Sequence, residues 1–235
     1  EKLENTINDL KVSFSQGEIT ELSGTSQLIL NKADVYHEKP SQKVAYFETF
    51  SLNDISFHFD NEPQIKIASI VMDDIFGSKN EESEHPPLVT LKQFSISDVF
   101  VSEKQLSIDK IILDSLHSNV IIDKEKAIAN LVSLPATEKE KEEIKEITKE
   151  IDEEISPNKA DFIISLNEFS LTNENQLTML DNSVEPVKTR ELFIDTLHLG
   201  AISNAPSKQD QQTPFEFIGR SNKYAHFDFK GFTQP

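Results

Sequence analysis

The chain has 235 residues and a formal net charge of −18, from 41 acidic and 23 basic side chains. That balance repels a phosphate backbone and argues against nucleic acid as a partner, and equally against docking on anionic headgroups through surface charge. Cysteine is absent, which removes disulfides, zinc-thiolate sites and thiol nucleophiles. Mean hydropathy is −0.42, but the apolar residues gather in short alternating runs, as a folded sheet requires. Sixteen Phe against three Tyr and no Trp favour an apolar interior over an aromatic recognition surface. No run reaches the ~18 apolar residues of a membrane span. The opening "EKLENTINDL" has no signal-peptide core, so an envelope location would need a targeting segment upstream.

In chain order, a six-residue pattern recurs: apolar, any, apolar, two residues of which one is Asp or Asn, then usually apolar. It fits Phe50–Ile55 (FSLNDI), Ile70–Ile75 (IVMDDI), Phe94–Val99 (FSISDV), Ile111–Leu116 (IILDSL) and Leu192–Leu197 (LFIDTL). Phe169–Glu174 (FSLTNE) is a weaker copy that has lost its last apolar position. The early copies start 17 to 24 residues apart, which suits successive antiparallel strands joined by turns. Alternation gives each strand one apolar side, continued by Phe57 and Phe59 in one copy and by Leu199 in another. The Asp or Asn interrupts the two-residue period and predicts a bulge or bend at the same place in each copy. An ordinary antiparallel sandwich would show similar strands, so periodicity alone leaves both architectures open. The polar stretches 78–87 and 203–214 read as exposed connections.

Between the fourth and fifth copies the composition changes. Residues 136–156, "ATEKEKEEIKEITKEIDEEIS", predict an amphipathic helix over about 137–155. Thr137 and Glu140 form a capping box, Glu and Lys alternate three apart, and Pro157 closes the segment. Ile144, Ile147, Ile151 and Ile155 form a narrow stripe that would rest on the sheet. Its polar face is acidic, which speaks against a membrane-surface helix.

Chemistry is thinly marked. His37, His58, His85, His117, His198 and His226 are scattered without metal-binding spacing. Asp73-Asp74 and Asp181-Asn182 lack the alternating ligands and turning Gly of a calcium loop. No nucleophile elbow, phosphate loop or dinucleotide fingerprint occurs. The expectation is no enzyme, no metal and no cofactor.

Residues 107–136, "SIDKIILDSLHSNVIIDKEKAIANLVSLPA", resemble the large AsmA-like envelope proteins of Gram-negative bacteria, with Asn130-Leu131 and Leu134-Pro135 at the corresponding places. The stretch ending "ELFIDTLHLGAIS" resembles a following unit of that family through Asp181, Ser183, Pro186 and Leu192–Leu199. The tail "FEFIGRSNKYAHFDFKGFTQP" resembles its closing strands through Gly231 and Pro235. Lys124–Ala127 and Asn173–Asn175 stand where the family usually has turn glycines.

The resemblance implies a mostly β fold: a long curled antiparallel sheet forming an open groove. Residues 1–135 would be a first groove segment, 136–157 a helical insert, and 158–235 a second segment continuous with the first. It further implies a periplasmic protein tethered to the inner membrane by an upstream anchor, carrying phospholipid towards the outer membrane. Phe50, Leu52, Ile55, Phe57, Phe94, Ile96, Val99, Phe169, Leu171, Leu192, Ile194 and Leu197 would then face acyl chains. Two other readings stay open at this point. One is an envelope assembly scaffold that binds outer-membrane protein precursors by strand pairing. The other is a closed sandwich that binds sugar or protein.

Overall fold

The computed structural model describes residues 2–15, 18–37, 39–60, 62–132, 162–222 and 224–234. The predicted helix and its four Ile lie outside the described residues. Twelve strands are present: β1 (Lys2–Ser15), β2 (Glu18–His37), β3 (Lys39–Phe59), β4 (Gln64–Asn80), β5 (Val89–Ser102), β6 (Gln105–Ile122), β7 (Ile163–Thr172), β8 (Asn175–Asp181), β9 (Lys188–Leu199), β10 (Ile202–Ser203), β11 (Thr213–Ser221) and β12 (Ala225–Thr233). All belong to one sheet in the order β1-β2-β3-β4-β5-β6-β7-β9-β11-β12, with β8 between β6 and β9 and with β10 beside β7.

Close backbone contacts between described elements join strands that are hydrogen-bonded neighbours, and all the strands belong to the one sheet. No second sheet and no helix packs on either side among the described residues, which sets aside the closed sandwich. Only Val99, Ile121, Leu171 and Ile194 are buried apolar side chains in that set. Cohesion therefore lies within the layer, in backbone ladders and cross-strand pairs. β3 is 21 residues long, up to about 70 Å if fully extended. Scarce Gly and alternating apolar residues let the strand run on where a Gly-rich sequence would turn.

The predicted bends are real. The fifth residue of five copies has a left-handed backbone: Asp54 (φ 50°), Asp74 (47°), Asp98 (50°), Ser115 (56°) and Asn173 (61°). Asp9 (53°) and Lys32 (57°) extend the series into β1 and β2, where Leu28–Ala33 proves to be a further copy. The ladders place Lys32, Asp74 and Ser115 on one line across even-numbered strands, with Glu48 and Lys92 between them. Asp54 and Asp98 lie on a second line across odd-numbered strands, with Ala68 between them. Crossing a line shifts the alternation. Phe47 and Phe50, three residues apart, bring their ring centroids to 6.2 Å, which an unbroken two-residue period would forbid.

The expectation of an all-antiparallel sheet is corrected. The sheet is mixed, because β6 runs parallel to both β7 and β8. A parallel neighbour needs a crossover of a dozen residues or more, and the long chain between Ile122 and Ile163 is ample. β7 and β8 share β6 between them, and Asn175 fills the break. Its side chain is buried, accepts from Leu116 N–H at 2.9 Å and donates to the carbonyls of Thr172 and Asn173, each at 3.1 Å.

The two predicted connections are largely exposed loop, each with one buried residue. β4 continues to Asn80, and Ser78 (φ 56°) is buried rather than exposed. The 203–214 stretch contains a single 3-10 turn, Pro206–Lys208, and ends in Thr213, which is fully buried.

Candidate functional site

Residues opposed in register share a side of the sheet, and positions one and three of each copy share it with each other. The ladders therefore assemble two apolar rows. The first runs Leu30, Phe50, Met72, Phe94, Leu113, Leu171, Leu197, Phe217, Phe229, from β2 to β12. The second runs Leu28, Leu52, Ile70, Ile96, Ile111, Phe169, Leu199, Phe215. A shorter row beyond the second line joins Ile55, Ile67 and Val99, and Phe57 pairs with Ile65 in the next rung.

Of the predicted residues, Phe50, Leu52, Phe94, Ile96, Phe169, Leu171 and Leu197 thus meet in continuous rows, and Ile55 and Val99 in the shorter one. Leu192 and Ile194 do not align with positions one and three of β7. They pair with Leu177 and Asn175 of β8, because β9 carries an extra residue opposite Ile218 and Gly219. That bulge puts Leu192 and Ile194 on the same side as Leu197, one step towards the strand's start. Leu197 and Leu199 take the rungs beside Leu171 and Phe169.

Sequence reasoning missed the ends of the strip. Leu28 and Leu30 flank an unremarkable "LIL". Phe215 and Phe217 lie in "FEF", whose alternation was the available signal. At that end Phe217, Phe227 and Phe229 pack with centroids 4.8 to 6.4 Å apart. Gly219 is required beneath them: a Cβ there would lie 2.2 Å from the Phe193 carbonyl and 2.7 Å from the Phe227 ring.

The opposite side is polar and hydrogen-bonded. Gln27 donates to Asn53 at 2.8 Å, and Asn53 donates to Ser51 at 3.2 Å and to Ser69 at 3.1 Å. Gln93 donates to Asp73 at 2.8 Å. Further along, Lys110 pairs with Glu168 at 3.0 Å. Hydrogen bonds from Ser115 and Asn173 hold the Asp114 carboxyl below the usual carboxylate range. Those from Ser183 do the same for Asp181. Lys43 is held in its charged form by Asp34 and Glu81, at 2.9 and 3.0 Å. These shifts stabilise charge already present. None moves a carboxyl group towards neutrality, as a general acid would need.

At the ends of β4–β6 the chain folds back. Asn130, 4 % exposed, accepts from Ile121 N–H at 3.2 Å and donates to the carbonyls of Pro86 and Asn119. Ser78 Oγ donates to the Asn130 carbonyl at 2.8 Å. Asn130 of the Asn-Leu pair singled out in the sequence is thus a clasp joining β4, β6 and the loop before β5, while Leu131 is exposed.

What this arrangement can do is present an apolar strip one layer thick, backed by a polar face. No family model matches the chain, and no curated protein or solved structure is similar to it.

Proposed function

We propose that this chain is a segment of a lipid-carrying trough: the left-handed lines curl the sheet, and the apolar rows line its concave side and hold phospholipid acyl chains. The observation that carries this reading is the continuity of paired apolar rungs from β2 to β12 on a sheet that no described element covers. Each CH₂ removed from water contributes about 0.8 kcal/mol, so such a strip retains a tail without specific polar contacts. The sequence resemblance supplies the setting, a periplasmic protein tethered to the inner membrane that passes phospholipid towards the outer membrane.

The test is native mass spectrometry of the purified chain with lipid extraction. Phospholipid should accompany the wild type and be lost in Phe94→Asp, while Ser95→Asp, on the polar side, should retain it. Equal loss in both variants, or a lipid-free wild type, would reject the trough.

A second reading, an assembly scaffold, is favoured by β1. That strand is hydrogen-bonded on one side only among the described residues and exposes Leu3, Ile7, Leu10 and Phe14. Such an edge is a template for an incoming strand. Recovery of unfolded outer-membrane protein on lipid-free protein, lost in Ile7→Pro, would support it.

A further inference from the structure

The chain contains two arginines, Arg190 and Arg220, among 23 basic residues. They fall on opposite sides of the sheet. Arg220 pairs with Phe193, and its guanidinium sits 3.9 Å over that ring on the polar side. Arg190 pairs with Met179, which pairs in turn with Val120, and this rung continues the side of Leu177 and Leu192. It lines a hollow of about 400 Å³ with Val120, Leu177, Met179, Leu192 and Glu191.

Arg190 thus sets a solvent-reached cation at the edge of an apolar floor, the placement that would meet an anionic headgroup above a buried tail. Arg190 is exposed and makes no hydrogen bond or ion pair with any described residue. The nearest acid on that side, Asp181, lies opposite Lys188, and its charge reaches both cations. Its carboxylate is hydrogen-bonded to the Ser183 N–H and hydroxyl at 2.9 and 2.6 Å and makes no ion pair with Arg190. Glu191 borders the hollow as well, but alternation turns its side chain to the other face, and its backbone is tied to Asn222. Lys188, two residues before Arg190 on the same side, adds a second positive charge.

We propose that Arg190, supported by Lys188, is the subsite for the phosphate of an anionic phospholipid whose tail lies on the apolar rows. This rests on the trough reading above and adds recognition of the headgroup to it. The dimensions agree. Leu192, Ile194 and Leu197 follow Arg190 on the same side, and Arg190 to Leu197 spans about 20 Å along β9. One acyl chain occupies about 15 Å, half the hydrocarbon core of a bilayer. A guanidinium matches a phosphate bidentately, which the many lysines of this chain do not.

The experiment compares three probes on the whole chain: dihexanoyl phosphatidylglycerol, dihexanoylglycerol and inorganic phosphate. Arg190→Gln should bind the phospholipid roughly tenfold more weakly, the size of one charge-assisted contact. It should bind the phosphate-free diacylglycerol as the wild type does. Arg220→Gln, on the other side, should change neither, and circular dichroism should be unaltered in both variants. Phospholipid affinity unchanged in Arg190→Gln overturns the headgroup site while leaving the trough intact if diacylglycerol still binds. Failure of both lipids to bind wild type rejects the trough and the site together. Arg190-dependent binding of inorganic phosphate alone would assign the cation to free phosphate and overturn the lipid assignment.

Discussion

Asp98 adopts φ 50° in the middle of a strand, a conformation that costs an L-residue about 1–2 kcal/mol and that Asp and Asn tolerate best. Asp98→Val should therefore lower stability by roughly 1–2 kcal/mol, while Asp98→Gly should be close to neutral, both read as urea midpoints. Equal losses in the two variants would mean that the carboxylate, not the backbone, is what matters there. Asp114 carries a pH dependence of definite sign. Its folded pKa is depressed, so the unfolded chain takes up the proton first and stability rises with pH. The contribution is whole above about pH 4 and is lost as pH falls through the lower folded value. Asp114→Asn should flatten the fall in urea midpoint between pH 5 and pH 3. The Asp/Asn signature in the sequence was a sound guide to the bends in β3 to β7. It did not reveal Lys32, whose side chain has no local hydrogen bond to announce a left-handed backbone. Nor did it warn that Thr196 in β9 keeps an ordinary φ while an extra residue does the bending instead.

Strands and their facing sides could be read from alternation, since a two-residue period depends only on neighbours in the chain. Partnership could not. The parallel match of β6 with β7 depends on where a long connection delivers the chain, and no local pattern encodes that. The register of β9 was hidden for a related reason: one bulge opposite Gly219 moves Leu197, rather than Leu192, beside Leu171. The buried amides mark these joints. Asn175→Ala removes the acceptor of the Leu116 N–H and frees two carbonyls, a loss on the order of 1–3 kcal/mol. Its amide hydrogens in β8 should exchange faster than those of β7, by hydrogen-exchange mass spectrometry. Uniform acceleration across the sheet would show that β8 does not open as a separate unit.

As a whole, the described molecule is one layer whose strands hold only their neighbours, so stability should decline from the middle outward. Amides of β4 and β5 should exchange slowest and those of β1, whose described side chains are all exposed, fastest. A single rate for all strands would contradict a layer without a shared interior. The two left-handed lines have a further consequence. From β2 to β6, even-numbered strands bend at one level and odd-numbered strands at the other, so the repeating tile of that stretch is a hairpin rather than a strand. Excising one hairpin and rejoining its neighbours returns every bend to its own line and every methyl group to its own side. Excising one strand puts neighbours of like parity side by side and reverses the direction of everything downstream. Within that antiparallel stretch such a sheet can lengthen or shorten only by even steps, and the span is counted in pairs.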